Sequence, residues 1–317
     1  MSLHLGLDLG ATNIKWSLVE HTDDWTQLDQ GQVPTRAAGG PDAIVEQLAT
    51  LAAQVVAAHP TVVSIGIGVP GQYDPEAGAT RFLPNVPGDW AGRPVAAPVA
   101  ARTGVPTALI NDARAFGLAE LRLGAGRGAR TMIGMTLGTG VGGAVAIDGR
   151  MYLGLDGAAG EIGHQTIDPD GLQCTCGNRG CLEAYARADR ITALCGTGSV
   201  EEAVRRASAG DERALRGLAE VGRYLGVGIA NMIVVLTPER VVIGGGVSGA
   251  GELLLQPIRE ELASRVHMTV LDRIEVVLAQ LGIWAGSVGA AVHGAERVSV
   301  SSGGSTIRAM PAGGPGT

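Results

Sequence analysis

Two stretches of the chain share one form. Residues 5–20 read LGLDLGATNIKWSLVE and residues 131–148 read TMIGMTLGTGVGGAVAID: an apolar strand, a turn holding glycine and threonine, and a second apolar strand. A hairpin that returns about 120 residues later marks an internal duplication and sets the frame for everything between. The remaining pattern alternates strand and helix. Strands are expected at LHLGLDL, IKWSLVE, TVVSIGIGV, VPTALI, RVVIGG and IEVVLA. Helices are expected over residues 41–58, along DARAFGLAELRLG, over residues 200–236, up to residue 266, and over 285–296. Residues 70–94, rich in Pro and Gly, read as a loop. Alternation of this kind implies an α/β protein with mostly parallel sheets. The repeated hairpin implies two similar domains facing each other across a cleft. The expected division is a smaller domain over residues 1–112 and a larger one over 113–297, whose last helix can pack back on the first domain. The tail from Val298, rich in Ser, Gly and Pro, reads as disordered over 298–317.

Composition narrows the function classes. The chain has 317 residues, 45% of them hydrophobic, enough for a sizeable core, and a formal net charge of −7. An acidic balance speaks against a nucleic-acid partner, which wants a basic face. Apolar runs are broken well short of the ~20 residues of a membrane span. The start, MSLHLGLDLG, lacks the basic and small-residue segments of a signal peptide. A cytoplasmic protein without a membrane partner is the expectation, and there paired disulfides are rare.

Four motifs carry chemistry. The first is Asp8, Gly10, Ala11, Thr12 and Asn13, with Lys15 behind them. A glycine turn between strands can aim backbone N–H groups at a phosphate, and Asp8 can hold a hydrated Mg²⁺. The same stretch also fits an ordinary hairpin with glycine in a left-handed position. The second is the turn at Gly138, Thr139 and Gly140. It formally matches a dinucleotide fingerprint, as does the run from Gly244 and Gly245 to Gly249. Among 50 glycines neither match is specific. The first lies between two strands, where the fingerprint needs a strand and then a helix. The third is Asn111-Asp112, between a strand and a helix. A carboxylate there faces the crevice of an α/β protein and can take a proton from a hydroxyl, although helix capping alone also accounts for the pair.

The fourth motif is Cys174, Cys176 and Cys181, with His164 ten residues upstream in Glu161-Ile162-Gly163-His164. Three thiols and an imidazole make a Cys₃His tetrahedron for zinc, and a full protein shell makes that metal structural. Cys195 is the competing fourth ligand, but it sits in the apolar helical stretch ITALC and reads as a buried residue. The clamped segment carries Glu183, and Glu161 flanks the histidine. Two carboxylates and an imidazole fixed together suit a ligand with many hydroxyls.

With GLDLGATNIK, LINDARAFGLAE, the run from MTLGTGVGG to EIGH, and CTCGNRGCLE in place, the chain resembles the ROK family of repressors, open reading frames and sugar kinases. The likeness covers nearly all of residues 4–296. The resemblance implies the duplicated ribonuclease-H-like fold of actin and hexokinase. It implies transfer of the γ-phosphate of ATP to the 6-hydroxyl of a hexose, with glucose the first expected acceptor. Mannose, fructose and amino sugars stand as alternatives, and polyphosphate as another donor. By this resemblance Asp112 is the general base. Asn85, Asn111, Asp112, Glu161, His164 and Glu183 touch the sugar. Asp8, the turns at Gly10–Thr12 and Gly138–Gly140, Asn13 and Lys15 serve phosphate and Mg²⁺, and Gly244 and Gly245 serve adenosine. His164, Cys174, Cys176 and Cys181 hold zinc, and a homodimer or higher homo-oligomer is common. Family repressors carry a DNA-binding segment ahead of the first turn, whereas here that turn begins at residue 8, so a sugar-sensing regulator is the lesser expectation. One departure stands out: many relatives have asparagine where this chain has Arg114.

Overall fold

The computed structural model describes residues 2–302. The first half runs β1 (Ser2–Leu9), β2 (Asn13–His21), β3 (Trp25–Pro34), α1 (Gly40–Ala58), β4 (Val62–Val69), β5 (Gln72–Asp74), β6 (Ala79–Phe82), β7 (Arg93–Pro94), α2 (Ala96–Thr103), β8 (Thr107–Asn111) and α3 (Asp112–Arg122). The second runs β9 (Met132–Leu137), β10 (Val141–Ile147), β11 (Arg150–Met151), α4 (Leu182–Ala186), α5 (Ala188–Cys195), α6 (Val200–Ser208), α7 (Glu212–Leu236), β12 (Arg240–Gly244), α8 (Glu252–Arg265), β13 (Glu275–Leu278) and α9 (Ala285–Ser302). The two five-stranded sheets have one topology, β3-β2-β1-β4-β8 and β11-β10-β9-β12-β13. In each, three strands meander antiparallel and two more add in parallel. The duplicated hairpin is therefore the visible part of a duplicated ribonuclease-H-like sheet.

Each half ends in a helix that serves the other. α3, which follows the first sheet, packs on β9 and β10 of the second, while α9, which follows the second sheet, packs on β1 and β4 of the first. The two helices also pack on one another. Glycine makes the contact close. Gly6 of β1 and Gly66 of β4 are paired in register. A Cβ on either would fall 1.8 Å from the Ser287 carbonyl oxygen or 1.7 Å from that of Ala290. Ser17 of β2 adds a 2.7 Å hydroxyl pair with Ser287.

Several elements depart from the sequence reading. β3 is missing from it because WTQLDQGQVP is largely polar and exposed; pairing with β2, not burial, makes it a strand. Residues 70–94 are not a plain loop but carry the small sheet β5-β6-β7. α2 is also missing from it, and α4 and α5 follow the cysteine cluster in short turns. The helical region 200–236 is two helices, because Asp211 caps α7 by accepting from the N–H groups of Arg213 and Ala214. α9 continues to Ser302, past the point where the tail was expected to begin. No Gly or Pro intervenes before Gly303 to stop it. Residues 303–317, the rest of that expected tail, lie outside the described residues. Among the described residues α7 alone is long and apolar enough to cross a membrane by length and composition. Its residues Leu218, Val221, Leu225, Ile229 and Ile233 are buried in the core formed with β9 and β12.

Gly66→Ala is expected to cost about 1–3 kcal/mol or more through overpacking, because the obstacle is a backbone carbonyl. Gly249→Ala, which meets nothing within 4 Å, serves as the control. Thermal unfolding followed by circular dichroism separates the two.

Candidate active site

The cleft holds two adjoining cavities of about 480 and 610 Å³. Both are lined by Pro70, Asn85, Asp112, Ala113, Thr136 and Thr139. The smaller reaches Asp8, Gly10, Ala11, Lys15 and Gly245; the larger reaches Asn111, Arg114, Gly138, Gly140, Glu161, His164, Cys176 and Glu183. Asp112 stands where they meet.

β1 delivers Asp8 to the cleft one residue before its end, in register with Lys15 of β2, whose ammonium lies 3.8 Å from the carboxylate. Burial raises the Asp8 pKa against the pull of Lys15. α9 begins beside it: a Cβ on Gly286 would sit 2.6 Å from Asp8 Oδ2. A helix N-terminus favours an anion, and a buried carboxylate opening on a cavity favours a cation beside it. The residues thus fit a phosphate group together with a divalent cation. The first turn closes with Gly10 N–H donating to Asn13 C=O at 3.0 Å, and the second with Gly138 N–H donating to Gly140 C=O at 2.9 Å. Thr12 and Asn13 do not line either cavity. Thr136, passed over in the sequence reading, does, and the duplication could have found it: Thr136-Leu137-Gly138 aligns with Asp8-Leu9-Gly10. Gly245 lines the smaller cavity, whereas Gly244 is packed against Phe116.

The capping question at the start of α3 resolves between two residues. Asn111 is the cap, accepting from the N–H groups of Ala113 and Arg114, while its Nδ2 donates to the Gly71 carbonyl at 3.0 Å. That leaves Asp112, the first helical residue, to face the cleft. Burial first, and the Asp8 charge second, push its carboxyl up to about 7; the Ala113 N–H and Arg114 act in the opposite sense. A carboxyl poised near neutral pH suits a general base. Asn85 joins it from the 70–94 segment with φ at 66°. That left-handed conformation is strained for most side chains but tolerated by asparagine.

Glu161, His164 and Glu183 line the larger cavity together. Glu183 has a second task. Its Oε2 accepts from the Val141 N–H at 3.0 Å, and the Ala188 N–H donates to the Gly138 carbonyl at 2.8 Å. The segment behind the cysteines therefore also braces the second glycine turn.

The ligand atoms of His164, Cys174, Cys176 and Cys181 all lie within 4.8 Å of one another. Zinc–sulfur bonds of ~2.3 Å at tetrahedral angles put sulfurs about 3.8 Å apart. Cys176 and Cys181 Sγ are 3.7 Å apart, and Cys174 Sγ is 3.7 Å from His164 Nδ1. The donor set fits a tetrahedral metal through Nδ1, leaving His164 Nε2 toward Glu161, 4.0 Å from its Oε2. Burial and the neighbouring sulfurs push the Cys181 thiol up to about 12, so metal binding must displace protons. Cys195 is buried elsewhere, with its thiol on the Ala214 carbonyl.

The sequence pattern of the ROK family matches residues 4–295. The chain belongs to the ROK family. It is 36% identical over 313 residues to a glucokinase of Thermotoga maritima, covering 93% of this chain and 98% of that one. Among solved structures, a ROK hexokinase from Thermus thermophilus superposes with a TM-score of 0.80 at 34% identity, covering 94% of this chain and 99% of the other. A ROK glucokinase from Streptomyces griseus, in complex with glucose and AMPPNP, gives 0.78 at 32%, covering 93% and all of the other chain. The duplicated two-domain fold expected from the sequence agrees with these neighbours.

Elemental analysis is expected to find about one divalent metal per chain. Cys174→Ser should lower that content sharply and Cys195→Ser should leave it unchanged.

Proposed function

We propose that this chain is an ATP-dependent hexose kinase acting on the 6-hydroxyl of glucose, a glucokinase. The observation that carries the reading is the position of Asp112, half-buried at the junction of a phosphate-suited cavity and a cavity lined by Glu161, His164 and Glu183. A carboxylate there can accept the hydroxyl proton as the oxygen turns toward the phosphate. Phosphoryl transfer needs positioning and charge neutralisation more than covalent help from the protein.

In this reading the N–H groups of the Gly10–Thr12 and Gly138–Gly140 turns hold the phosphates from the two sides of the cleft. Lys15 and the N-terminus of α9 add positive potential beside Asp8. Mg²⁺ held near Asp8, when bound, neutralises phosphate charge. Glu161, His164, Glu183, Asn85 and Asp112 orient the sugar, with Asn111 supporting them through its cap and its bond to Gly71. Zinc on His164, Cys174, Cys176 and Cys181, when bound, supplies a structural cross-link. Division into lobes over residues 1–112 and 113–297 belongs to the same proposal, with closure of the lobes excluding water as a competing acceptor. A cytoplasmic homodimer or higher oligomer completes it.

The test is ADP release with Mg-ATP against glucose, mannose, fructose, glucosamine and the two N-acetylated amino sugars. Preference for glucose is expected. Preference for an amino sugar would keep the chemistry and change the substrate; absence of turnover from folded, metal-loaded protein would withdraw the kinase reading in favour of a sensor. Asp112→Asn should lower kcat by about 10²-fold or more while glucose binding, measured by calorimetry, persists. The base must be deprotonated to act, so kcat/KM for the sugar should fall as pH drops through about 7 and hold above it. A flat profile between pH 5 and 8 would remove Asp112 from the role.

A further inference from the structure

Arg114 is in an unusual place for a cation. It lies in the first turn of α3, where the helix dipole opposes positive charge, and its side chain is only 3% exposed. A buried guanidinium is stable only when its donors are matched. Here they reach the cap of α3, the backbone of residues 158–159 and the Glu161 carboxylate. Nη1 donates to Asn111 Oδ1 at 2.9 Å. Nε donates to the Ala159 carbonyl at 2.8 Å and Nη2 to the Ala158 carbonyl at 3.3 Å. Nη2 also donates to Glu161 Oε1 at 2.6 Å.

These bonds form one chain. Asn111 passes it on to Gly71, behind β4, through Nδ2. Glu161 carries it toward His164 in the metal-fitting set. The segment that Arg114 grips has left-handed backbone at Gly154, Asp156, Gly157 and Gly160, and its regular structure is limited to 3₁₀ turns at Leu155–Gly157 and Ile162–His164. Arg114 ties that segment to α3 by taking two of its successive carbonyls.

We propose that Arg114 is a positioning residue for the hexose: it aims Glu161 and locks the segment that carries it to the helix that carries Asp112. The inference rests on the hexose-kinase reading of the site. With Oε1 held by Arg114, Glu161 presents Oε2 to the cavity in one direction. A sugar hydroxyl then meets a preset acceptor instead of a half-exposed, freely rotating carboxylate. Lysine cannot stand in, because a compact ammonium cannot serve two carbonyls, an amide oxygen and a carboxylate as a planar fork does.

The experiment compares wild type, Arg114→Met, Arg114→Lys, Glu161→Ala and the double variants by steady-state kinetics of the full chain, with hexose and ATP each varied. Far-UV circular dichroism checks folding. Arg114→Met should raise the hexose KM roughly tenfold or more while the ATP KM moves less than about twofold, a split that general loosening would not produce. Arg114→Lys should recover only part of the loss. In the Glu161→Ala background, where no carboxylate remains to be aimed, the added Arg114 change should cost clearly less than it does in wild type. An unchanged hexose KM, or an equal penalty in both backgrounds, would overturn the proposal. If the Met variant does not fold, the Lys variant carries the same comparison. Wild-type turnover separately decides the kinase reading; without it both fall.

Discussion

The structure depends on an exchange of helices between its two halves. α3 closes the second sheet and α9 closes the first, and they pack against each other between the sheets. Every residue from Ala113 to Leu121 in α3 is buried, as expected of a helix with core on all sides. Glu120 lies at the centre of this exchange and is fully buried. Its carboxylate accepts from the N–H groups of Ala125, Gln280 and Leu281. That joins α3 to the chain just ahead of α9 through three backbone donors on one side chain.

The site inherits its geometry from this exchange. Both helices begin at the cleft: α3 opens with Asp112 and α9 opens beside Asp8. Asp112 is therefore mounted on one of the two elements that hold the halves together, and the other begins beside Asp8. Their carboxylates lie close enough for the Asp8 charge to help raise Asp112 to about 7. The cysteine segment is a third support. It meets His164 on one side, with Cys174 Sγ 3.7 Å from Nδ1, and, through Glu183 on Val141 and Ala188 on Gly138, braces the second glycine turn on the other. The bracing of that turn was no part of the sequence reading, which tied the cysteines only to Glu161, His164 and Glu183.

What was legible in the chain was whatever repeats or clusters locally. The duplicated hairpin announced the paired sheets, and the spacing of Cys174, Cys176 and Cys181 announced the metal-fitting set. The ambiguity at Asn111-Asp112 was real, because either residue can cap a helix; the fold divides the labour, with Asn111 capping and Asp112 left facing the cleft. Thr136 was legible but needed the repeat to be aligned residue by residue. β3 and the β5-β6-β7 sheet were not, because their strand character comes from pairing partners and not from apolar alternation.

The sequence by itself determined the α/β class, the duplication, the two glycine turns and the grouping of His164 with three closely spaced cysteines, since each is written in side-chain period or short spacing. Only the tertiary structure decided that α3 and α9 trade sheets, that Gly6 and Gly66 sit opposite one helix, and that Arg114 is buried against Glu161 across 47 residues of chain. Those relations join residues distant in sequence through close packing and matched hydrogen bonds. Local pattern has no means of encoding which distant carbonyl a buried guanidinium will find.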